Sequence, residues 1–107
     1  MTTTIRSSVV LALAVSLASA VGFAQSSGEA TYKAKCQGCH GATGAGDTVT
    51  GKIVGVKPLS DPEVKKYTAD QMLDIVRNGK NKMQAFKDKL TEAEIKASVV
   101  YFRSLIK

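Results

Sequence analysis

The chain has 107 residues, a net charge of +6 and no tryptophan, which bounds it to one small domain. Its two cysteines and single histidine are too few for a structural zinc site, which takes four such ligands. The basic balance suits an acidic partner or an anionic surface. With no recognisable nucleic-acid motif, it does not point to nucleic acid.

The chain opens with one basic residue, Arg6, and an apolar, small-residue run from Val9 to Ala20. Val21-Gly22-Phe23-Ala24 follow, then the polar Gln25-Ser26-Ser27. This is the layout of a secretory signal peptide. A cut is expected after Ala24, with Ala20 the alternative, so that residues 1–24 are a leader and residues 25–107 one exported, periplasmic domain. The run is short for a spanning helix, which needs about 20 apolar residues, and no permanent membrane insertion is expected. Arg6 is the only charged side chain before the cut.

The first helix of the remaining chain is expected from Gly28 to Cys39. Ser26 and Glu29 have the spacing of a capping box. The helix delivers Cys36-Gln37-Gly38-Cys39-His40, the attachment signature of a c-type haem. Each thiol adds to one vinyl group on the same porphyrin edge, so the sulfurs must sit one short turn apart. The next residue then offers an imidazole to the iron. A thioredoxin-like dithiol wants a βαβ context, and no strand pattern is present. A disulfide between Cys36 and Cys39 would close only a tiny loop, which contributes little stabilisation. A covalent haem would also supply the large apolar body that so small a chain lacks, and the haem-free chain is expected to fold poorly.

Residues 41–56 carry five glycines and no helical period, and are expected to be a loop long enough to wrap something. Ser60-Asp61-Pro62-Glu63 starts a short helix to about Tyr67, with proline just inside and Glu63 at the capping-box position three residues after Ser60. Thr68 and Gln71 box the next helix, whose Met72, Leu73, Ile75 and Val76 are apolar, and Gly79 stops it. A second loop, residues 79–90, contains Met83. Thr91 and Glu94 box the last helix, where Ile95, Val99, Phe102 and Ile106 form an apolar stripe. Val100, Tyr101 and Leu105 are expected to widen its buried side.

A haem iron held by His40 has a second axial position, and no other histidine exists, which leaves a methionine thioether, a lysine amine, water or nothing to fill it. Met72 lies at helical spacing among apolar residues, the usual place of a core-filling methionine. Met83 lies in a loop between Lys82 and Gln84, with no packing reason to be there. It is the expected sixth ligand, a soft thioether suited to a low-spin electron-transfer haem. Such ligation leaves no vacant site for substrate, and nothing supplies a general base beside a nucleophile, so the chain is not expected to be an enzyme.

The whole of the chain after the leader resembles a small class I monohaem cytochrome c of the short bacterial and photosynthetic type. The resemblance rests on Cys36-Gln37-Gly38-Cys39-His40-Gly41 and on Asn78-Gly79-Lys80-Asn81-Lys82-Met83-Gln84-Ala85-Phe86. It implies an all-α fold of about four short helices around one covalent haem c, with crossing N- and C-terminal helices. Gly28 and Tyr32 match the first-helix residues of that crossing, and Tyr101 the aromatic of the last. His40 and Met83 are implied as axial ligands, and a backbone carbonyl near Pro58 as acceptor for the other imidazole proton. Gln84 stands where a proline often follows the methionine, which predicts a looser loop. Ser98 stands where the crossing calls for an apolar residue. The implied function is a monomeric, exported single-electron carrier between larger redox proteins. Lys80, Lys82, Lys87 and Lys89 around Met83 would meet an acidic docking surface.

Overall fold

Among the described residues there are six helices: α1 (Ala20–Lys35), α2 (Gln37–His40), α3 (Val49–Val54), α4 (Pro62–Lys65), α5 (Ala69–Asn78) and α6 (Glu92–Ser104). The structure, a computed structural model, describes residues 20–106, with side chains from residue 28 onward. Among the described residues the sole β feature is an isolated bridge between Lys80 and Met83, so the expected all-α class is what is found. The expected leader falls on residues 1–19, outside the described residues, and on residues 20–24, which lie in α1. No helix among the described residues is long and apolar enough to cross a membrane.

Helix α1 does not begin at Ser26. It runs unbroken through that position, so the amides that a capping box would satisfy are already inside the helical ladder. Glu29 reaches forward instead, to Lys33 Nζ at 2.8 Å. α1 crosses α6 at Gly28, where a Cβ would sit 2.4 Å from the carbonyl oxygen of Ala97. Only a glycine lets the two backbones come that close. One turn later Tyr32 is 1% exposed, its ring 5.2 Å from that of Tyr101 and 5.9 Å from that of Phe102. Tyr32 thus meets Tyr101 at the crossing as expected, while Gly28 meets the backbone of α6 at Ala97. Ser98 is buried at the same crossing, and its hydroxyl donates to the carbonyl of Ile95 at 2.8 Å. The helix itself satisfies this polar group, so the crossing tolerates it.

Helix α6 is boxed as expected, with Thr91 Oγ1 accepting from Glu94 N–H and Glu94 Oε1 accepting from Thr91 N–H. Ile95 and Val99 are buried and Phe102 is half-buried. Val100 corrects the expected buried side. It falls opposite Ser98 and Phe102 on the helical wheel and is 66% exposed. Ile106 lies past the end of the helix and is also exposed. α5 packs on α6, and Phe86, Leu90 and Ile95 form a buried cluster covered by Leu73, Val76 and Met83.

Two helix starts differ from expectation. α4 is capped by Asp61, not Ser60, with Asp61 Oδ1 accepting from Glu63 N–H at 2.8 Å, and it ends at Lys65. The stretch expected as one loop, residues 41–56, contains α3. Thr48 caps it, accepting from Gly51 N–H at 2.9 Å, and Gly55 closes it in the left-handed conformation with φ 76°. α3 leaves Val49 and Ile53 exposed, so its sequence carries no buried stripe to announce a helix.

Candidate cofactor site

The two thiols and the imidazole ride on one tight turn. α1 stops at Lys35. Cys36 N–H donates to the Tyr32 carbonyl at 2.8 Å, and the Cys36 carbonyl accepts from Cys39 N–H at 3.2 Å and His40 N–H at 2.9 Å. Residues three apart on such a turn share a face, which sets Cys36 and Cys39 side by side. Both are free and half-buried. Burial, and then the neighbouring Cys39, push the Cys36 thiol up to about 11, so it remains a thiol at neutral pH.

His40 is buried enough that desolvation pushes its pKa below the ordinary imidazole value. It is therefore held neutral, the form that ligates a metal. Its ring meets Phe102 edge-on, centroids 5.2 Å apart. Its Nδ1 is buried without a hydrogen-bond partner. The carbonyl of Pro58, the stretch expected to supply an acceptor, takes the Asp61 N–H at 2.9 Å.

The turn is clamped from both sides. On one side, Thr48 Oγ1 donates to the Gly38 carbonyl at 2.7 Å. There Gly51 lies so close to the Cys39 carbonyl oxygen that a Cβ would be 2.3 Å from it. The His40 carbonyl accepts from Gly46 N–H at 2.8 Å. On the other side the Tyr32 hydroxyl donates to the Gly41 carbonyl at 2.6 Å. None of these clamps was legible beforehand, because each joins residues through space with no local spacing rule.

Met83 sits in a reverse turn. Lys80 and Met83 exchange backbone bonds, with Lys80 N–H to the Met83 carbonyl at 3.0 Å and Met83 N–H to the Lys80 carbonyl at 2.9 Å. Asn81 takes a left-handed conformation, φ 54°, which asparagine tolerates better than most residues. Beyond the turn, Phe86 N–H donates to the Val76 carbonyl and Lys87 N–H to the Arg77 carbonyl, pinning the loop to α5. The side chain of Gln84 accepts from Lys89 Nζ. Gln84 stands where a proline often follows, and backbone bonds on both sides of it tie the loop to the Lys80–Met83 turn and to α5. Met83 is half-buried on the Phe86 cluster. Met72 is 7% exposed and meets Arg103 Nη1 at 3.8 Å from its sulfur, the setting of a core residue.

Two free thiols one turn apart, followed by a neutral imidazole that is the chain's only histidine, are a donor set that fits a covalent haem. Among the described residues no group of three or more His, Cys, Asp and Glu side chains could hold a bare metal ion.

The comparisons agree with that chemistry. A family profile described as cytochrome C oxidase, cbb3-type, subunit III matches residues 23–102. A "Cytochrome c6-like" protein of Nostoc sp. (strain PCC 7120 / SAG 25.82 / UTEX 2576) is 39% identical over 77 residues, covering 69% of this chain and 64% of the relative. The chain thus spans somewhat under two thirds of that relative's length. Among solved structures, KustC0563 c-type cytochrome superposes with a TM-score of 0.67 at 32% identity, over 75% of this chain and 98% of the other. A point mutant of the same protein gives a TM-score of 0.65 at 30% identity, over 74% and 98%.

Proposed function

The chain belongs to the class I monohaem cytochromes c, with one covalently bound haem c, and from that premise we propose that it is an exported carrier taking and giving one electron at a time between larger redox proteins. The bound haem supplies an iron that cycles between its ferrous and ferric states. Cys36 and Cys39 hold the group covalently, so it is not lost by dilution after export. His40 presents a neutral imidazole from the clamped turn, and Met83 presents a thioether from the second loop. The observation that carries this reading is the turn around Met83. Its reciprocal Lys80–Met83 bonds hold one methionine in a loop, while Met72 is packed away in the interior. A ligand pair that stays the same in both oxidation states keeps reorganisation small, which suits a shuttle better than an enzyme. Export rests on the leader, residues 1–24, cut after Ala24.

The exposed Lys80, Lys82, Lys87 and Lys89 surround the methionine turn, and they favour an acidic partner. Lys80 is held at the Tyr67 hydroxyl and lies 4.8 Å over its ring, and Lys89 is held by Gln84. Both contacts restrict where these side chains point, which favours a positive rim beside Met83.

The test is the visible spectrum of the purified protein, oxidised and reduced, with and without carbon monoxide. A low-spin c-type spectrum with a thioether-to-ferric charge-transfer band, unmoved by carbon monoxide, is expected. Met83→Ala should abolish that band and admit carbon monoxide, whereas Met72→Leu should leave it. A high-spin wild-type spectrum, or one that shifts with carbon monoxide, would replace the carrier with a ligand-binding or enzymatic haem protein.

A further inference from the structure

The chain has two asparagines, and one of them, Asn78, is followed by glycine. An Asn-Gly peptide carries its own reaction. The glycine nitrogen can attack the side-chain carbonyl carbon of the asparagine, because glycine has no side chain to hinder the approach. Asn78 ends α5, and Gly79 begins the loop that carries Met83. Gly79 takes φ 78° and ψ 167°, a backbone region that essentially only glycine fills. A Cβ there would lie 2.7 Å from the Met83 carbonyl oxygen and 3.0 Å from the Ala85 nitrogen. The turn that holds Met83 therefore requires the one residue type that leaves Asn78 open to attack. Hydrogen bonds oppose the attack from both partners. Gly79 N–H, the group that must give up its proton, donates to the Ile75 carbonyl at 2.7 Å. The Asn78 side-chain amide donates to the Asp74 carbonyl at 3.2 Å and to Asp74 Oδ1 at 2.9 Å, which holds it back along α5.

We propose that the Asn78–Gly79 peptide is a latent deamidation site at the root of the methionine loop, held shut by these bonds while α5 and the loop stay folded, and that its reaction detaches Met83 from the iron. The second half rests on the reading of Met83 as iron ligand. In the reaction the Gly79 nitrogen loses its proton and bonds to Asn78 Cγ. The Cγ–Nδ2 bond breaks, and ammonia leaves with that proton. Water then opens the cyclic imide at either carbonyl, and no oxidant or reductant is needed. Opening at the side-chain carbonyl leaves aspartate. Opening at the main-chain carbonyl leaves isoaspartate, whose backbone runs through Cβ and Cγ and is longer by one carbon. The close approach of Gly79 to the Met83 carbonyl and the Ala85 nitrogen leaves no room for that carbon, so the Lys80–Met83 turn must shift. Either product also sets a carboxylate beside Asp74 in place of the amide that Asp74 now holds.

The test is peptide mapping of the holoprotein aged folded, or aged in guanidinium chloride, in the same mildly alkaline buffer. A covalent haem stays on the chain in both. Conversion is read by mass and retention of the peptides that carry Asn78 and Asn81. Conversion of Asn78 is expected to be at least about tenfold slower in the folded protein, because the reaction must wait for local opening. Asn81, followed by Lys82, should lag far behind Asn78 in guanidinium. Asp74→Ala should speed conversion of the folded protein and leave the rate in guanidinium unchanged. After refolding, the isoaspartyl fraction should lack the thioether charge-transfer band. Asn78→Gln, which keeps an amide but cannot close the same ring, should keep the band through the same ageing. Equal rates folded and unfolded, or an Asn81 that reacts as fast as Asn78, would overturn the latent site. An unchanged folded rate in Asp74→Ala would overturn the part given to Asp74. An isoaspartyl fraction with the wild-type band would overturn the link to Met83. If Asn78→Gln lacks the band when fresh, the unconverted wild-type fraction is the control and decides by the same criteria. Fresh wild type without the band would instead defeat the reading of Met83 as ligand, while the conversion rates still decide the site.

Discussion

Gly51 stands where no side chain fits, because the carbonyl oxygen of Cys39 would lie 2.3 Å from its Cβ. Two effects oppose each other when it becomes alanine. Inside a helix, Gly→Ala is favourable by about 1 kcal/mol. Against that stands overpacking, which costs about 1–3 kcal/mol, here at the upper end because a backbone oxygen in a bonded turn cannot rotate away. Gly51→Ala is therefore expected to lower stability by about 1–2 kcal/mol, read as a lower guanidinium midpoint of the holoprotein. A raised midpoint would mean that α3 can lift off the turn at no cost. The same contrast explains what could be read at this scale beforehand. Cys36, Cys39 and His40 declare themselves because attachment chemistry fixes their spacing along the chain. Met83 declares itself by being a loop methionine flanked by Lys82 and Gln84. Phe102 reads only as part of an apolar stripe, since its meeting with His40 is made by the fold. Tyr32 reads as an aromatic of the helix crossing, and its hydroxyl bond to Gly41 has no sequence signal at all.

Caps decide which elements were legible. The Thr68–Gln71 and Thr91–Glu94 boxes form as spaced, each with both reciprocal bonds. Thr48 also caps a helix, but α3 has six residues, one of them a buried glycine, and turns Val49 and Ile53 outward. With no apolar stripe there is no period to detect. Ser26 has the right spacing and fails, since the helix had already begun at Ala20. The Thr91 box also carries a pH signature. The Thr91 backbone N–H, and then its hydroxyl contact, hold the Glu94 carboxyl below its ordinary value of 4.5. A carboxyl depressed in the folded state gives stability that is complete above the unfolded value and is lost as pH falls through the folded one. Glu94→Gln keeps a box acceptor without the charge. The stability gap between wild type and Glu94→Gln should be widest at neutral pH and close as pH drops below 4.5, followed by denaturant titration across that range. Parallel curves would mean that the charge contributes nothing to the cap.

At the scale of the whole molecule the side-chain core is small: among the described residues only Tyr32 and Ile95 of the larger side chains are almost wholly enclosed. Chains of this size seldom stand on side-chain burial alone. A Cys36→Ala, Cys39→Ala variant that cannot hold haem covalently should lose cooperative thermal unfolding by circular dichroism, and a sharp near-native melt would show that the helices suffice. The net positive charge acts at the same scale, and the question is whether it acts as a sum or as a patch. Any cationic protein should react faster with an anionic oxidant at low salt. Hexacyanoferrate(III) oxidising the ferrous protein should therefore slow as ionic strength rises. A patch adds a dependence on position, because screening confines an exposed charge to about 10 Å at 0.1 M salt. Lys82 and Lys87 are exposed beside the Met83 turn, and Lys33 and Lys35 are exposed on α1. Reversing either pair to glutamate changes the net charge equally. If electrons pass near the methionine turn, Lys82→Glu with Lys87→Glu flattens the salt dependence more than Lys33→Glu with Lys35→Glu does. If the two pairs flatten it alike, the field of the whole molecule does the steering, and the lysines around Met83 have no directing role of their own.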